Sequence, residues 1–411
     1  MQVLDRTERQ KLGVKKWIQA GCRGTLQWST GVGKTRAAII AIKSFLKTNL
    51  NKKIVVVVPT EYLKIQWLQE LNKYGIYFDV SIEIINSAIK KAEKVDFLIL
   101  DEAHRIPSDT FYSIFKERNP TVVLGLSATF SRLDGRHELL KQYCPICDII
   151  TVQEAIANKW LSPYKEYKVL LEPGDIGDYN FFSQQFNESF SFFNYDFNLA
   201  MKCLTNIIYR RTYGKTMGMK ASDVDAIVFT WNRMLHARKS YVMDHPLKIE
   251  VTRKILAARL DRKAITFSAT IKQSEKIGLG YVVNSGSTKK KNRLSVEEFS
   301  KLKTGVIHTA KSLDEGVDIP GLNLAIILCN TSSQTQKTQR LGRIIRYEEG
   351  KEAEVFTLVI KGTNEEAWYN TSTAGKNYIE ISLSELDDIL DGEDSFNLEK
   401  VAEESDLMFR F

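Results

Sequence analysis

Nothing in this 411-residue chain reads as a membrane span. No apolar run is long enough to cross a bilayer, and the opening Met1-Gln2-Val3-Leu4-Asp5-Arg6 lacks the apolar core of a secretory signal. Cysteine is scarce: the chain has five, an odd number that argues against a disulfide framework. Cys144 and Cys147 form a CxxC with no second pair, whereas a structural zinc needs four ligands. No sequence repeat and no nuclease motif is found. These absences exclude an integral membrane protein and a disulfide scaffold. They set the expectation of a soluble cytoplasmic protein with no membrane partner.

Hydrophobic residues make up 43% and charged residues 26% of the chain, so its length supports two or three domains with their own cores. The net charge of +8 is unevenly spread: Glu380 to Phe411 holds eleven acidic and two basic residues, a balance of −9, which leaves +17 on the rest. A basic body suits a polyanionic partner. The acidic tail, with its scattered Leu, Ile and Phe, could be helical or disordered. It is a candidate docking segment for a protein partner.

Apolar runs of strand length alternate with amphipathic stretches twice along the chain. Ile54–Val58, Phe97–Leu100 and Val122–Leu126 form one group; Ala264–Phe267, Gly305–Ile307, Leu324–Leu328 and Glu354–Val359 form the other. Continuous apolar runs of this kind are how strands covered on both faces of a parallel sheet read. The spacing predicts an α/β domain over 1–168, a helical connecting segment over 169–262, a second α/β domain over 263–370 and the tail over 371–411. In the connecting segment, an aromatic-rich stretch from Tyr179 to Phe197 precedes helices expected over Phe197–Arg211, Asp223–Val242 and Pro246–Leu260. Its aromatics are expected to fill a small core, with Arg233, Arg238 and Lys239 near Trp231 and Tyr241.

Polar motifs follow the strand-like runs, where open α/β sheets bind ligands. Thr30-Gly31-Val32-Gly33-Lys34-Thr35 is a phosphate-cradling loop: glycines let backbone N–H groups close on phosphate oxygens and the following helix adds positive potential. Lys34 would reach the β- and γ-phosphates of ATP, and the Thr35 hydroxyl would ligate Mg²⁺. The longer pattern has one more glycine, where this chain has Trp28. In Asp101-Glu102-Ala103-His104, Asp101 would hold Mg²⁺, Glu102 would orient or deprotonate the attacking water, and His104 could sense the γ-phosphate. Arg343 and Arg346 lie three apart on an expected helix, so they share a face, and their guanidinium groups suit charge on a transferred phosphoryl group.

Taken together, these motifs resemble the superfamily 2 helicases with a DEAH motif, over roughly residues 5–362. Gln10 with Trp17 is similar to the segment that contacts adenine in the XPB-type branch. Val58-Pro59-Thr60 with Gln66-Trp67 resembles motif Ia, Ser127-Ala128-Thr129 motif III, Ile265-Thr266-Phe267-Ser268 motif IV and Asp314-Glu315-Gly316-Val317-Asp318 motif V. Gln339-Arg340-Leu341-Gly342-Arg343-Ile344-Ile345-Arg346 resembles motif VI, in a form unlike that of the DEAD-box RNA helicases. The likeness is strongest to compact phage branch-migration helicases and their XPB-like relatives.

The resemblance implies two RecA-like domains that use ATP and Mg²⁺ to move on single-stranded, forked or branched DNA with little sequence preference. It adds Gln339 to the catalytic group, and Gln10, Thr30, Gly31, Gly33, Gly316 and Asp318 to the nucleotide site. It places Thr60, Ser268, Thr309 and Lys311 along the nucleic-acid backbone. Two alternatives stay open: an RNA-remodelling helicase, and a motor module of a multi-subunit defence or restriction complex. Lys289-Lys290-Lys291 and Arg293 are expected to form a solvated loop.

Overall fold

The computed structural model describes residues 4–49, 52–105, 108–129, 141–278, 280–310, 319–330, 333–374 and 377–392. Two all-parallel sheets organise the chain. The first contains β1 (Arg23–Trp28), β2 (Ile54–Val58), β3 (Val80–Ile84), β4 (Phe97–Asp101), β5 (Val122–Ser127) and β6 (Ile146–Ile150). Its spatial order is β3-β2-β4-β5-β1-β6. The second contains β7 (Tyr164–Leu171), β8 (Lys263–Ser268), β9 (Tyr281–Asn284), β10 (Gly305–Ala310), β11 (Leu324–Ile327), β12 (Ala353–Ile360) and β13 (Ile379–Ile381), in the order β13-β7-β12-β11-β8-β10-β9. Every residue of β2, β4, β8 and β12 is buried, as expected of strands covered by helices on both faces. The two-domain α/β architecture expected from the sequence is the one observed.

Two boundaries differ from the expectation. Strand β7 pairs with β12 over eight residues, from Tyr164 opposite Ala353 to Leu171 opposite Ile360, so the second sheet begins before residue 168. At the other end, β13 pairs with β7, and the helix Leu383–Asp391 buries Leu386 and Leu390 in the same core as Ile381. The acidic composition hid a helix whose apolar residues share one face. Ser382 caps it and Glu385 closes the capping box. The tail beyond 392 lies outside the described residues.

Trp28, where the longer phosphate-loop pattern has glycine, is a core residue. It is fully buried, and its indole N–H donates to Asp148 at 2.9 Å. The helix Arg6–Gln19 passes so close that a Cβ on Gly13 would lie 2.2 Å from Trp28 Cζ2. Arg9, on the same helix, pairs with the buried Asp148 at 2.6 Å. The chain's first helix is thus fastened to the strand that feeds the phosphate loop.

Between β7 and β8 the chain forms an aromatic-centred bundle of helices Gly177–Ser191, Phe197–Thr205, Ile207–Thr216 and Ala221–Met243. One helix was expected over Phe197–Arg211; there are two. Asn206 takes an extended conformation and its side chain accepts from the Tyr209 N–H at 3.0 Å, which ends one helix and caps the next. Trp231 is fully buried, with the rings of Phe186, Phe190, Phe193 and Phe197 around it. The Arg238 guanidinium lies 4.3 Å from the Phe186 ring centroid. The aromatics therefore fill a core, as expected.

The bundle is tied to the second domain. The Tyr179 hydroxyl accepts from the Asn364 N–H at 2.7 Å. The next helix, Pro246–Ala258, carries Lys248, which forms a fully buried pair with Glu365 at 2.6 Å. Leu328 O and the side chain of Asn330 complete that network. The basic run Lys289-Lys290-Lys291 starts the helix Lys289–Lys301, capped by Thr288, where a loop was expected.

Candidate active site

The C-terminal ends of β1 and β4 face the helix Gln334–Ile344 of the second domain across a cleft of about 510 Å³. From the first domain, the cleft is lined by Thr30, Gly31, Gly33, Lys34, Thr35, Asp101 and Glu102, and from the second by Gln339, Arg343 and Arg346. The structure thus brings together residues more than 200 positions apart in sequence, as the motif order implied.

Gly31 and Gly33 sit at φ 92° and 93°, a region that side-chain-bearing residues strongly disfavour. These turns carry the chain from β1 into the helix Lys34–Leu46, whose first turn has no side-chain cap. Its N–H groups and the positive end of its dipole are therefore available to an anion. Lys34 Nζ donates to the Trp28 carbonyl at 3.1 Å, which holds it along the loop. Gln10 lies beneath this loop and not on the cleft wall. It is 1% exposed, and its amide nitrogen donates to the Val32 carbonyl at 2.9 Å.

At the end of β4, Asp101 is buried and accepts from the Trp67 indole N–H at 2.7 Å and from the Glu102 N–H at 3.0 Å. Burial, followed by the neighbouring charge of Glu102, pushes its carboxyl up to about 6, although Trp67 and Lys34 oppose the shift. Glu102 has φ 48°, a left-handed conformation unusual for a side-chain-bearing residue. Its Oε2 lies 3.4 Å from Nδ1 of His104, and that nitrogen is 2.9 Å from the Ser127 hydroxyl at the end of β5. Adjacent carboxylates, one of them raised by burial and by the other, suit a divalent cation. Asp101 and Thr35 line the cleft together and are the side chains that could hold Mg²⁺ there.

The raised carboxyl makes a pH prediction for the metal-free protein. The folded state binds a proton at Asp101 that the unfolded state releases near the ordinary value of 3.8. This contribution to stability is present at low pH and is lost as pH rises through about 6. The melting temperature of Asp101→Asn relative to wild type should therefore rise between about pH 4 and pH 7, and added Mg²⁺ should reduce the difference at pH 7. A pH-independent difference would show that the native Asp101 carboxyl is not raised.

Arg6 and Arg105 are among the cleft residues that went unnoticed in the sequence. Arg6 binds the phosphate loop through the carbonyls of Gly31 and Val32. Arg105 donates to Gln339 Oε1 at 3.0 Å and so joins the domains across the cleft. Position directly after the DEAH tetrapeptide was the only signal for Arg105, and Arg6 had none.

The seam beside the cleft is close-packed. A Cβ on Gly342 would lie 2.3 Å from Thr30 Cβ, so motif VI rests directly on the phosphate loop. The connecting strap Trp160–Leu161–Ser162 lies against the same place. Trp160 lines the cleft, and a Cβ on Gly31 would come within 2.9 Å of Leu161 Cδ2. Ser162 N–H donates to Ile345 O at 2.8 Å, and its hydroxyl to Arg346 O at 3.0 Å. Burial lowers the Arg346 pKa from its ordinary value.

Of the residues expected along a nucleic-acid backbone, Thr60 is half-buried at a helix start and two others are buried. The Thr60 hydroxyl accepts from the Leu63 N–H at 3.3 Å and caps the helix Glu61–Lys73. Ser268 and Thr309 are each 2% exposed, and Thr309 donates to the Thr266 carbonyl at 3.0 Å. Both sit inside the second sheet, so neither hydroxyl is open to a phosphate in this arrangement. Both faces of these strand ends are covered, so every side chain there is buried, which a motif match does not register. Lys311, Gly316 and Asp318 lie outside the described residues. Among the described residues, no helix is long and apolar enough to cross a membrane and no His, Cys, Asp and Glu cluster is arranged for metal.

Comparison with known proteins bears on both halves of the chain. Residues 4–94 and 76–132 match the family described as type III restriction enzyme, res subunit, and residues 247–348 match the helicase conserved C-terminal domain. The DNA 3'-5' translocase XPB2 of Sulfurisphaera tokodaii is 29% identical over 375 residues, covering 85% of this chain and 80% of that protein. Putative helicase 22 of Sulfolobus islandicus filamentous virus is 25% identical over 410 residues, and the chain spans 66% of its length. In fold, the chain resembles S. cerevisiae Dbp5 bound to RNA and ADP BeF3, with a TM-score of 0.57 at 13% identity and coverage of 93% and 91% of the two chains. It also resembles the ATP-dependent type ISP restriction-modification enzyme LlaBIII bound to DNA, with a TM-score of 0.55 at 15% identity, covering 93% of this chain and 32% of that one.

Proposed function

We propose that this chain, a helicase-type nucleic-acid-dependent ATPase with the motif set of superfamily 2, is a cytoplasmic DNA translocase that remodels forks or junctions, including by branch migration. The observation that carries the motor reading is the cleft itself: phosphate-loop residues of one domain face Arg343 and Arg346 of the other. The DNA reading draws support from the printed description of the Sulfurisphaera relative and from the charge of +17 outside the acidic tail.

In this reading, the N–H groups of the Gly31–Thr35 turn and Lys34 hold the ATP phosphates, with Thr35 and Asp101 as the side chains for Mg²⁺. A cation held there would neutralise phosphate charge. Glu102 orients the attacking water and accepts its proton. Arg343 and Arg346 stabilise charge on the transferred group, but only while the second domain lies against the first. Hydrolysis therefore couples to the seam between domains, and backbone contacts on nucleic acid are moved without reading sequence.

The test is the ATPase rate with single-stranded DNA, duplex DNA, a four-way junction and single-stranded RNA, at matched nucleotide concentration and salt. Stimulation by DNA, strongest with the junction, is the expected result. Stronger stimulation by RNA would overturn the substrate assignment, and no stimulation by any of them would overturn the motor reading for the isolated chain.

A further inference from the structure

The bundle between β7 and β8 is divided by charge in a way its core does not require. Residues 177–196 contain Asp178, Glu188 and Asp196 and no Lys or Arg. Residues 197–220 contain Lys202, Arg210, Arg211, Lys215 and Lys220 and no Asp or Glu. An ordinary solvated face intersperses the two signs. Arg210 turns inward and pairs with Asp225 at 2.6 Å. The other four cations are exposed, and none pairs with a carboxylate among the described residues.

The same surface exposes apolar side chains. On the helix Ile207–Thr216, Ile207, Arg211 and Lys215 recur at four-residue intervals, and Ile208 lies beside them three residues before Arg211. Ile208 is 76% exposed and Ile207 49%, while the buried side of the helix is Arg210 and Gly214. The helix turns a branched apolar pair toward solvent in the middle of a one-signed basic field. Nothing in the fold of the bundle explains that choice.

We propose that the outward face of residues 202–220 is a nucleic-acid contact that engages the boundary between duplex and single strand. Arg211, Lys215, Lys202 and Lys220 lie on phosphates, and the Ile207–Ile208 pair packs against the exposed base step. Phosphate contacts need cations free of carboxylates. Apolar wedges of this type are used by proteins that unstack a base step. This inference rests on the motor reading, since a basic apolar face on a chain of another kind would equally suit an anionic membrane surface.

The experiment uses the full chain and fluorescence anisotropy on a labelled DNA fork across a salt series. The variants are Arg211→Ala with Lys215→Ala, and separately Ile208→Ser; all three positions are exposed. The double variant should bind the fork roughly 10-fold more weakly, with the slope of log affinity against log salt reduced by about 2. Its melting temperature and unstimulated ATPase rate should be unchanged. Ile208→Ser should keep its affinity for single-stranded DNA and lose strand separation at saturating DNA. Unchanged fork affinity and salt slope in the double variant would overturn the contact. So would a loss of binding to phosphatidylserine vesicles with fork binding intact. If wild type itself fails to bind any DNA or RNA, the motor reading fails first, a result distinct from either.

Discussion

Replacing Glu102 with glutamine should lower the ATP turnover number by about 10³-fold while nucleotide affinity stays within about threefold of wild type. The substitution keeps the side chain's length and the backbone at its φ of 48°, but removes the negative charge and the ability to take a proton. In the proposed function, binding depends on other groups: the helix N-terminus at Lys34, the Lys34 amine and the neighbouring loop glycines. Removing the Glu102 charge also relieves Asp101, whose raised carboxyl owes part of its shift to that neighbour. Metal-dependent nucleotide binding should therefore be preserved or slightly strengthened. Equilibrium titration with labelled ATP and Mg²⁺, beside a single-turnover hydrolysis assay, separates the two effects. Equal losses in binding and turnover would show that Glu102 holds the loop instead of acting on water.

The second large effect belongs to a residue that makes no contact through a side chain. Gly342→Ala should lower nucleic-acid-stimulated turnover by about 10²-fold, because the added Cβ would lie 2.3 Å from Thr30 Cβ and the seam must open to admit it. The substitution leaves the loop's own residues unchanged, and if the second domain yields at the seam ATP binding should survive. The contact has room for one Cβ, not two. Thr30→Gly in the same chain should therefore restore most of the lost turnover. Thr30→Ala should not, since the clash is with Thr30 Cβ itself. Failure of the glycine swap would mean that the Gly342 lesion acts elsewhere, for instance on the helix Gln334–Ile344.

Much of the fold was legible because its strands are buried on both faces. Ile54–Val58 and Phe97–Asp101 declare themselves by unbroken apolar composition, and the chemistry follows directly after them. Strand β7 was not legible: Tyr164-Lys165-Glu166-Tyr167-Lys168 carries three charges in five residues. They are accommodated by partners distant in sequence, Glu166 by Tyr369 and Lys337, and Lys168 by Glu380. Helix Leu383–Asp391 was hidden in the same way by its acidic outer face. In the cleft, the residues of named motifs were found in sequence. Arg6, Arg105, Trp67's bond to Asp101 and the fit of Gly342 on Thr30 depend on which surfaces meet, and local patterns hold no record of that.

Strand β7 enters the second sheet before the helical bundle begins, and β8 continues that sheet after the bundle ends. The bundle is therefore a boom mounted on the second domain at both its feet, not a hinge between the two domains. Its longest helix, Ala221–Met243, has 23 residues, which at the helical rise gives an arm of about 35 Å. For an arm of that length, each swing of about 10° at the seam carries the tip about 6 Å. That is close to two base steps at about 3.4 Å each. In the proposed motor reading, a swing of about 10° at the seam would become, at the far end of the boom, a stroke on the scale of the base step.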